Sequence, residues 1–288
     1  MTTKLSDYKF GCGEPISLLL LGATGTGKSI AACSCPKPIY VANFDDRMGS
    51  VKSYYEARPE LGVNTSQIDF DIFPELGAFI DKLEALENNC PYRTLIIDPL
   101  TKLCNKVISY SIGQRKGKGR KHIGKIIFST LEDYGAEISV YRQLMDSLQI
   151  IKNQQKVNII LTAHLVTVTY NSASKIKTED GTTISEQKSE HLIVTEGRKL
   201  APQIPLTFDE VYHFYVESSF GNLEYKIKTY NDGDVIARTS FANVPGEIEW
   251  KNENFYRIMS PYYGVKKSEE EIQQDKLGDQ TNEINESF

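Results

Sequence analysis

The sequence has no cysteine framework and no long apolar run. Its five cysteines are odd in number and none stands in C-x-x-C spacing, which argues against a disulfide scaffold or a cysteine zinc site. No charged segment precedes a cleavable apolar stretch, and no apolar run approaches the ~20 residues that span a bilayer. We therefore expect a cytoplasmic protein without membrane contact, in which Cys33 and Cys35 are small buried thiols.

Acidic and basic residues nearly balance outside the C-terminal segment. The net charge is −5, but residues 266–288 contribute −4 of it, so the rest of the chain is nearly neutral. Any surface for nucleic acid must therefore be a local patch. The 288 residues allow one sizeable core. We divide the chain into a lead-in (1–15), a core (16–245), a C-terminal extension (246–265) and an acidic, solvated tail (266–288).

A phosphate-binding loop is the strongest motif that the sequence contains. The pattern G-x-x-x-x-G-K-[ST] occupies residues 22–29 as GATGTGKS, between an apolar strand and a helical segment. Backbone N–H groups of such a loop surround phosphates, and the helix N-terminus favours the anion. We expect Lys28 to reach the β and γ phosphates of ATP and Ser29 to hold Mg²⁺. The predicted nucleotide-binding residues are Gly22, Ala23, Thr24, Gly25, Thr26, Gly27, Lys28 and Ser29.

Apolar strands alternate with amphipathic helices after this loop, and that order predicts a mainly parallel sheet covered by helices on both faces. The predicted strands are 39–43, 94–98 and 156–164, and the predicted helices are 74–87 and 129–155, with Thr130 and Asp133 as a capping box. From residue 209 onward the pattern changes to short strands, which predicts an antiparallel C-terminal extension of the sheet. These strands are 211–216, 223–229 and 235–238, the last two joined by a turn at 231–234.

Asp98 ends the apolar run Thr94-Leu-Ile-Ile-Asp98 and is followed by a proline. A buried parallel strand that ends in aspartate delivers a carboxylate to the carboxyl edge of the sheet, where the Mg²⁺ of a P-loop protein lies. We interpret Asp98 as the second magnesium ligand. The alternative is a structural aspartate that caps the next helix.

The order of these elements resembles the RecA-type ATPase core. More narrowly, it is similar to phage-encoded P-loop nucleotide-binding proteins that include RecA-like single-strand annealing recombinases. The residues that carry the likeness are GATGTGKS, TLIID ending at Asp98, LTAH ending at His164, and PLTFDEV at 205–211. The resemblance implies an α/β fold of the RecA-like P-loop NTPase type, with ATP and Mg²⁺ as ligands.

The same resemblance implies roles for further residues. In RecA-like cores a carboxylate after the second strand activates water, which makes Asp45 the candidate base and Asp46 the alternate. His164 would sense the γ-phosphate, although a histidine in the core with its bonds satisfied is the plainer reading. Lys226 and Lys228 lie on one face of a strand and would reach a neighbouring subunit's nucleotide. An exposed strand face is the alternative, and no F-x-x-A polymerisation motif supports a homo-oligomer.

Two segments are candidates for a DNA surface, because they follow the strands that end at the nucleotide. The first combines glycines with six cations, which could follow a phosphate backbone: Arg115, Lys116, Lys118, Arg120, Lys121 and Lys125. The second is expected to be a long polar loop from Leu165 to about Ala201, with Lys175, Lys177, Lys188, Arg198 and Lys199. For both, a solvated surface is the alternative.

The leading hypothesis from sequence is an ATPase that binds single-stranded DNA and promotes annealing or homologous recombination. The resemblance implies a phage origin, action in the host cytoplasm and contact with a single-strand-binding protein. A second hypothesis is a switch that binds ATP and DNA but hydrolyses little, since Asp45 is shorter than the usual glutamate. A third is a P-loop ATPase of phage replication or packaging, or one that acts on a small substrate.

Overall fold

The computed structural model describes most of the chain between residues 14 and 264. The described ranges are 14–114, 122–123, 126–127, 129–177, 183–197, 199–219, 222–233, 236–250 and 253–264. The six cations of the first predicted DNA segment and the acidic tail lie outside these ranges.

Strands and helices alternate along the described residues. The strands are β1 (Ser17–Gly22), β2 (Ile39–Asn43), β3 (Ile68–Ile72), β4 (Thr94–Asp98), β5 (His122–Ile123), β6 (Ile126–Ile127), β7 (Asn158–Lys177), β8 (Thr183–Ile193), β9 (Glu210–Ser219), β10 (Asn222–Lys228) and β11 (Glu247–Glu249). The α-helices are α1 (Lys28–Cys33), α2 (Met48–Glu56), α3 (Leu76–Asn88), α4 (Leu100–Gln114), α5 (Leu131–Gln155) and α6 (Phe255–Met259). None of these helices combines the length and the apolar character that crossing a bilayer requires.

One large sheet organises the molecule, with its strands in the order β11-β10-β9-β1-β7-β4-β2-β3. The strands from β9 to β3 run parallel, while β10 and β11 are antiparallel to their neighbours. Strand β8 folds back on β7 as an antiparallel hairpin. The prediction of a mainly parallel sheet with an antiparallel C-terminal part is therefore confirmed.

The strand β1 shows why both faces of this sheet are covered. Its side chains alternate between the faces: Leu19 and Leu21 pack in one buried cluster, and Leu18 and Leu20 pack in the other. Helices α3, α4 and α5 complete the first cluster, and α1, α2 and α6 complete the second. The continuous apolar run of β1 thus reflects burial on both sides.

The C-terminal segment after β11 packs into the second cluster. Trp250, Phe255, Met259 and Tyr263 are each at most 3 % exposed and lie beside the core residues of β1 and α1. Their burial makes these residues part of the same packed body as the P-loop helix.

Two details of the predicted secondary structure are wrong. The segment after Leu165 is a β-hairpin of β7 and β8 rather than a loop. The alternation of Val166, Val168 and Tyr170 with two threonines was a short strand signal, but the residues after it are mostly polar. Residues 236–238 form no strand either, because Arg238 makes only an isolated bridge to Val211. Strand β11 pairs with β10 in its place.

The remaining predicted elements are present with small shifts at their ends. Thr130 and Asp133 form the predicted capping box of α5, in which the Thr130 backbone N–H donates to the Asp133 carboxylate at 2.6 Å. Cys33 and Cys35 are buried free thiols, as expected. Helices α2, α4 and α6 and strands β3, β5, β6 and β11 had no counterpart in the sequence prediction.

Candidate nucleotide site

Four parallel strands bring their carboxyl ends to one edge of the sheet. Gly22 at the end of β1 lies opposite His164 of β7, and Asn43 at the end of β2 lies opposite Asp98 of β4. The Phe44 backbone N–H donates to the Asp98 carbonyl at 2.8 Å and continues the pairing beyond the strand. This register gathers the predicted P-loop, magnesium and sensor residues at one edge, as parallel α/β sheets favour.

Two glycines of the P-loop have no room for a side chain. Gly22 has φ +152°, and a Cβ there would lie 2.1 Å from the Phe214 carbonyl oxygen. Gly27 has φ +90°, and a Cβ there would lie 2.3 Å from the Trp250 ring. Both positions therefore require glycine through close approach as well as backbone conformation.

Lys28 is a buried cation whose partners are main-chain oxygens. The side chain is 6 % exposed, and Nζ donates to the carbonyl oxygens of Gly22 at 2.9 Å and Ala23 at 2.7 Å. Burial lowers the pKa of Lys28 to about 8, while the charge of Asp98 acts in the opposite direction. A partly desolvated ammonium of this kind gains strongly from an anion such as a phosphate.

Asp98 and Ser29 line the same cavity and offer oxygen ligands. The Thr162 hydroxyl, on the neighbouring strand β7, donates to the Asp98 carboxylate and fixes its orientation. Within the described ranges no cluster of three or more His, Cys, Asp or Glu side chains could hold a metal ion alone. A hydroxyl and one carboxylate suit Mg²⁺ that takes its other ligands from phosphate and water, so the residues present fit the predicted metal.

The structure separates the two candidates for the water-activating base. Asp45 is half-buried and lines the cavity, whereas Asp46 is exposed, has φ +57° and does not line it. Burial, followed by the nearby Asp98 charge, raises the pKa of Asp45, and Arg47 at 3.6 Å partly opposes this. Asn43 holds the turn by accepting the backbone N–H groups of both aspartates.

His164 also lines the cavity and is half-buried. Burial and then the positive charge of Lys28 lower its pKa, which favours the neutral imidazole at pH 7. Its backbone N–H donates to the Thr101 hydroxyl of helix α4 at 3.4 Å. The residue therefore links the nucleotide cavity to α4 and to the hairpin that β7 forms beyond it.

The two lysines predicted to contact a neighbouring subunit form ion pairs within the chain. Lys226 Nζ lies 2.7 Å from Glu217 and 3.0 Å from Glu224, and Lys228 Nζ lies 2.6 Å from Asp232. The trans contact stays a prediction. In the second DNA segment, Lys175, Lys177 and Lys188 lie on β7 and β8, Lys199 is exposed, and Arg198 lies outside the described residues.

Part of the cavity lining is aromatic, which sequence reasoning missed. The cavity has a volume of about 600 Å³, and Tyr54, Arg58, Tyr225 and Trp250 are among the residues that line it. The Arg58 guanidinium lies over the Tyr54 ring at 4.3 Å. These residues come from α2, β10 and the segment after β11, and no motif connects them. The only signal was the single tryptophan of the chain.

Comparison with known proteins gives a family match and matches to solved structures, two of which are described here. The family described as AAA domain matches residues 14–241. A KaiC-like protein of Pyrococcus horikoshii is 12 % identical, with 82 % of this chain and 90 % of that chain covered and a TM-score of 0.42. The flagellar accessory protein FlaH of Methanocaldococcus jannaschii is 11 % identical, with 84 % and 86 % covered and a TM-score of 0.41. No curated protein matches the chain.

Proposed function

We propose that this chain, which belongs to the AAA domain family of P-loop proteins, is an ATPase whose nucleotide state is coupled to single-stranded DNA. The observation that carries the ATPase part is the meeting of Lys28, Ser29, Asp98, Asp45 and His164 around one cavity. Annealing or homologous recombination is the process that we infer for it. A phage origin, a homo-oligomer and a single-strand-binding partner stay predictions from the sequence resemblance.

Each residue has a distinct part in the proposed hydrolysis. Lys28 binds the β and γ phosphates, and Ser29 and Asp98 hold Mg²⁺, which neutralises charge on the phosphate oxygens when bound. Asp45 accepts the proton of the attacking water, and its raised pKa makes it a stronger base than an ordinary aspartate. His164, neutral at pH 7, contacts the γ-phosphate and transmits its presence to helix α4 through Thr101.

Two connections support coupling to DNA. Helix α4 begins at Leu100, two residues after Asp98, and ends at Gln114, immediately before the basic segment 115–125. Strand β7 passes His164 and continues into the β7–β8 hairpin. A shift of either element at the nucleotide would therefore move a candidate DNA segment, whose cations suit a phosphate backbone.

A switch with little hydrolysis is the second candidate, and one observation favours it. The Asp45 carboxylate lies 3.6 Å from Arg47. The positive charge of Arg47 stabilises the ionised carboxylate and so acts to lower the pKa of Asp45. A carboxylate that is one methylene shorter than the usual glutamate and is paired with Arg47 is less well placed to reach the attacking water. In this case ATP binding alone, without turnover, would control the contact with DNA.

The deciding measurement is ATP turnover with and without single-stranded DNA. We expect stimulation by DNA, and loss of turnover in Lys28→Ala. Binding of ATP and DNA without turnover would favour the switch instead. Turnover that is insensitive to DNA, and unchanged in Lys28→Ala, would contradict both candidates.

The DNA surface is tested by charge-matched double variants. Arg115→Ala with Lys116→Ala should weaken binding of single-stranded DNA across sequences and flatten its salt dependence. Lys52→Ala with Lys156→Ala removes two exposed cations elsewhere and should leave DNA binding unchanged. Equal effects of the two pairs would mean that residues 115 and 116 are not part of the DNA surface.

A further inference from the structure

Trp250 lies against the phosphate loop, although it follows β11 and stands outside the family match of residues 14–241. It is the single tryptophan of the chain and is 3 % exposed. Its ring covers Gly27, where an added Cβ would lie 2.3 Å from one ring carbon. The C-terminal segment thus supplies a wall of a site whose motifs all lie elsewhere in the sequence.

The position of the indole is fixed by its neighbours. The Phe214 ring meets it edge-on at 5.4 Å between centroids, and the Trp250 backbone N–H donates to the Tyr225 carbonyl at 3.2 Å. The indole Nε1 itself is buried and has no hydrogen-bond partner among the described residues. A buried donor without a partner costs about 1–3 kcal/mol, so native sites seldom keep one unless a ligand or water completes it.

The surroundings of this donor indicate what kind of ligand would complete it. The cavity is lined by Lys28, Ser29 and Asp98, which suit a triphosphate and its metal. It is also lined by the rings of Tyr54, Tyr225 and Trp250, which suit a flat heteroaromatic group. A nucleoside triphosphate combines an anionic part with an aromatic part, and its base carries ring nitrogens that accept hydrogen bonds.

We propose that Trp250 contacts the base of the bound nucleotide, with its indole N–H donating to an acceptor nitrogen of that base. This inference rests on the proposed function and deepens it, because it assigns the base end of the site to the C-terminal segment. Trp250 then has two contacts, Gly27 of the phosphate loop on one side and the base on the other. Occupancy of the site would thereby stabilise the packing of residues 246–264.

The test compares ATP with inorganic tripolyphosphate, which lacks the base, by calorimetry on the full chain with Mg²⁺. Trp250→Phe keeps a ring and removes the N–H. We expect it to weaken ATP binding about fivefold to tenfold, the effect of one hydrogen bond, and to leave tripolyphosphate binding unchanged. Tyr263→Phe is the matched control, since it removes a buried hydroxyl of the same segment that bonds to Tyr212. Its affinity for both ligands should equal that of the wild type.

Unchanged ATP affinity in Trp250→Phe, or equal losses for ATP and tripolyphosphate, would overturn the base contact. Equal losses would mean that the ring acts only through the phosphate loop. If the wild type binds neither ligand, the proposed function itself is wrong and the inference falls with it.

The fluorescence emission of the single tryptophan gives a second readout that needs no variant at position 250. It should change on saturation with ATP and stay unchanged with tripolyphosphate, and a constant emission with ATP would contradict the proposal.

Discussion

Two buried lysine and aspartate arrangements lie at opposite edges of the same sheet. At the carboxyl edge, Lys28 bonds to main-chain carbonyl oxygens and Asp98 accepts from Thr162. At the amino edge, Lys152 of α5 donates directly to Asp209, which also accepts the backbone N–H and the hydroxyl of Ser17, each at 2.8 Å. The residue types are the same, but only the second arrangement is an ion pair.

The pKa directions follow from this difference. Burial alone would raise the pKa of Asp209, yet the hydrogen bonds from Lys152 and Ser17 lower it below its usual value. Burial lowers the pKa of Lys28 to about 8. Among the described residues, no carboxylate bonds directly to Lys28 to offset this effect of burial. The ion pair joins β1, α5 and the residue before β9, whereas a buried cation that bonds only to neutral oxygens is suited to binding an anionic ligand. The comparison thus separates a structural site from a binding site within one sheet.

Lys28→Met should give the largest change at the carboxyl edge. We expect ATP turnover to fall about a thousandfold, because the cation that stabilises the phosphate charge is lost. The free energy of unfolding should not decrease, since a buried charge is replaced by an apolar chain of similar length. Turnover assays and urea unfolding measure the two effects. If Lys28→Met kept its turnover, or had a lower free energy of unfolding than the wild type, the two edges would not differ as proposed.

Lys152→Met should have the opposite profile. It leaves the Asp209 carboxylate without its cation and should lower the free energy of unfolding by about 3 kcal/mol. The ATP affinity of the folded protein should remain that of the wild type, because Lys152 does not line the nucleotide cavity. Adding Asp209→Asn should recover part of the lost stability. If the single variant is as stable as the wild type, the pair has no structural role.

The two edges also differ in how far sequence reasoning could reach. The P-loop, Asp98 and His164 follow from local patterns, since each stands at the end of an apolar run of the sequence and parallel strands share one edge. The pair of Lys152 and Asp209 joins residues 57 positions apart, and although Asp209 lies in the segment PLTFDEV, no pattern connected it to Lys152. Trp250 and Tyr225 reach the nucleotide cavity only because β10 folds back on β9, the neighbour of β1, and β11 pairs with β10. The β7–β8 hairpin was missed because only its first residues alternate, at Val166, Val168 and Tyr170, and the rest of its sequence is mostly polar.

Asp45→Asn tests whether the carboxyl edge contains a working base as well as a binding cation. We expect turnover to fall about a hundredfold with ATP affinity little changed, because the amide cannot accept the proton of water. Asp46→Asn is the matched control, being exposed and outside the cavity, and should keep most of the turnover. Equal losses in both variants would contradict the assignment of Asp45. Unchanged turnover in both variants would mean that neither Asp45 nor Asp46 activates the attacking water.

The pH dependence of stability gives the smallest expected effect and tests the contrast most directly. The pKa of Lys28 is about 8 in the folded chain against an ordinary value of 10.5. Between these values the unfolded chain holds more protons at this position than the folded chain, so stability rises with pH there. Any advantage of Lys28→Met over the wild type in unfolding free energy should therefore shrink by about 2 kcal/mol between pH 8 and pH 10.

Lys52→Met, at an exposed lysine paired with Glu56, is the control, and its difference from the wild type in unfolding free energy should stay constant. A constant difference for Lys28→Met as well would mean that its ammonium is as well satisfied as that of Lys152, and the two edges would no longer differ in kind.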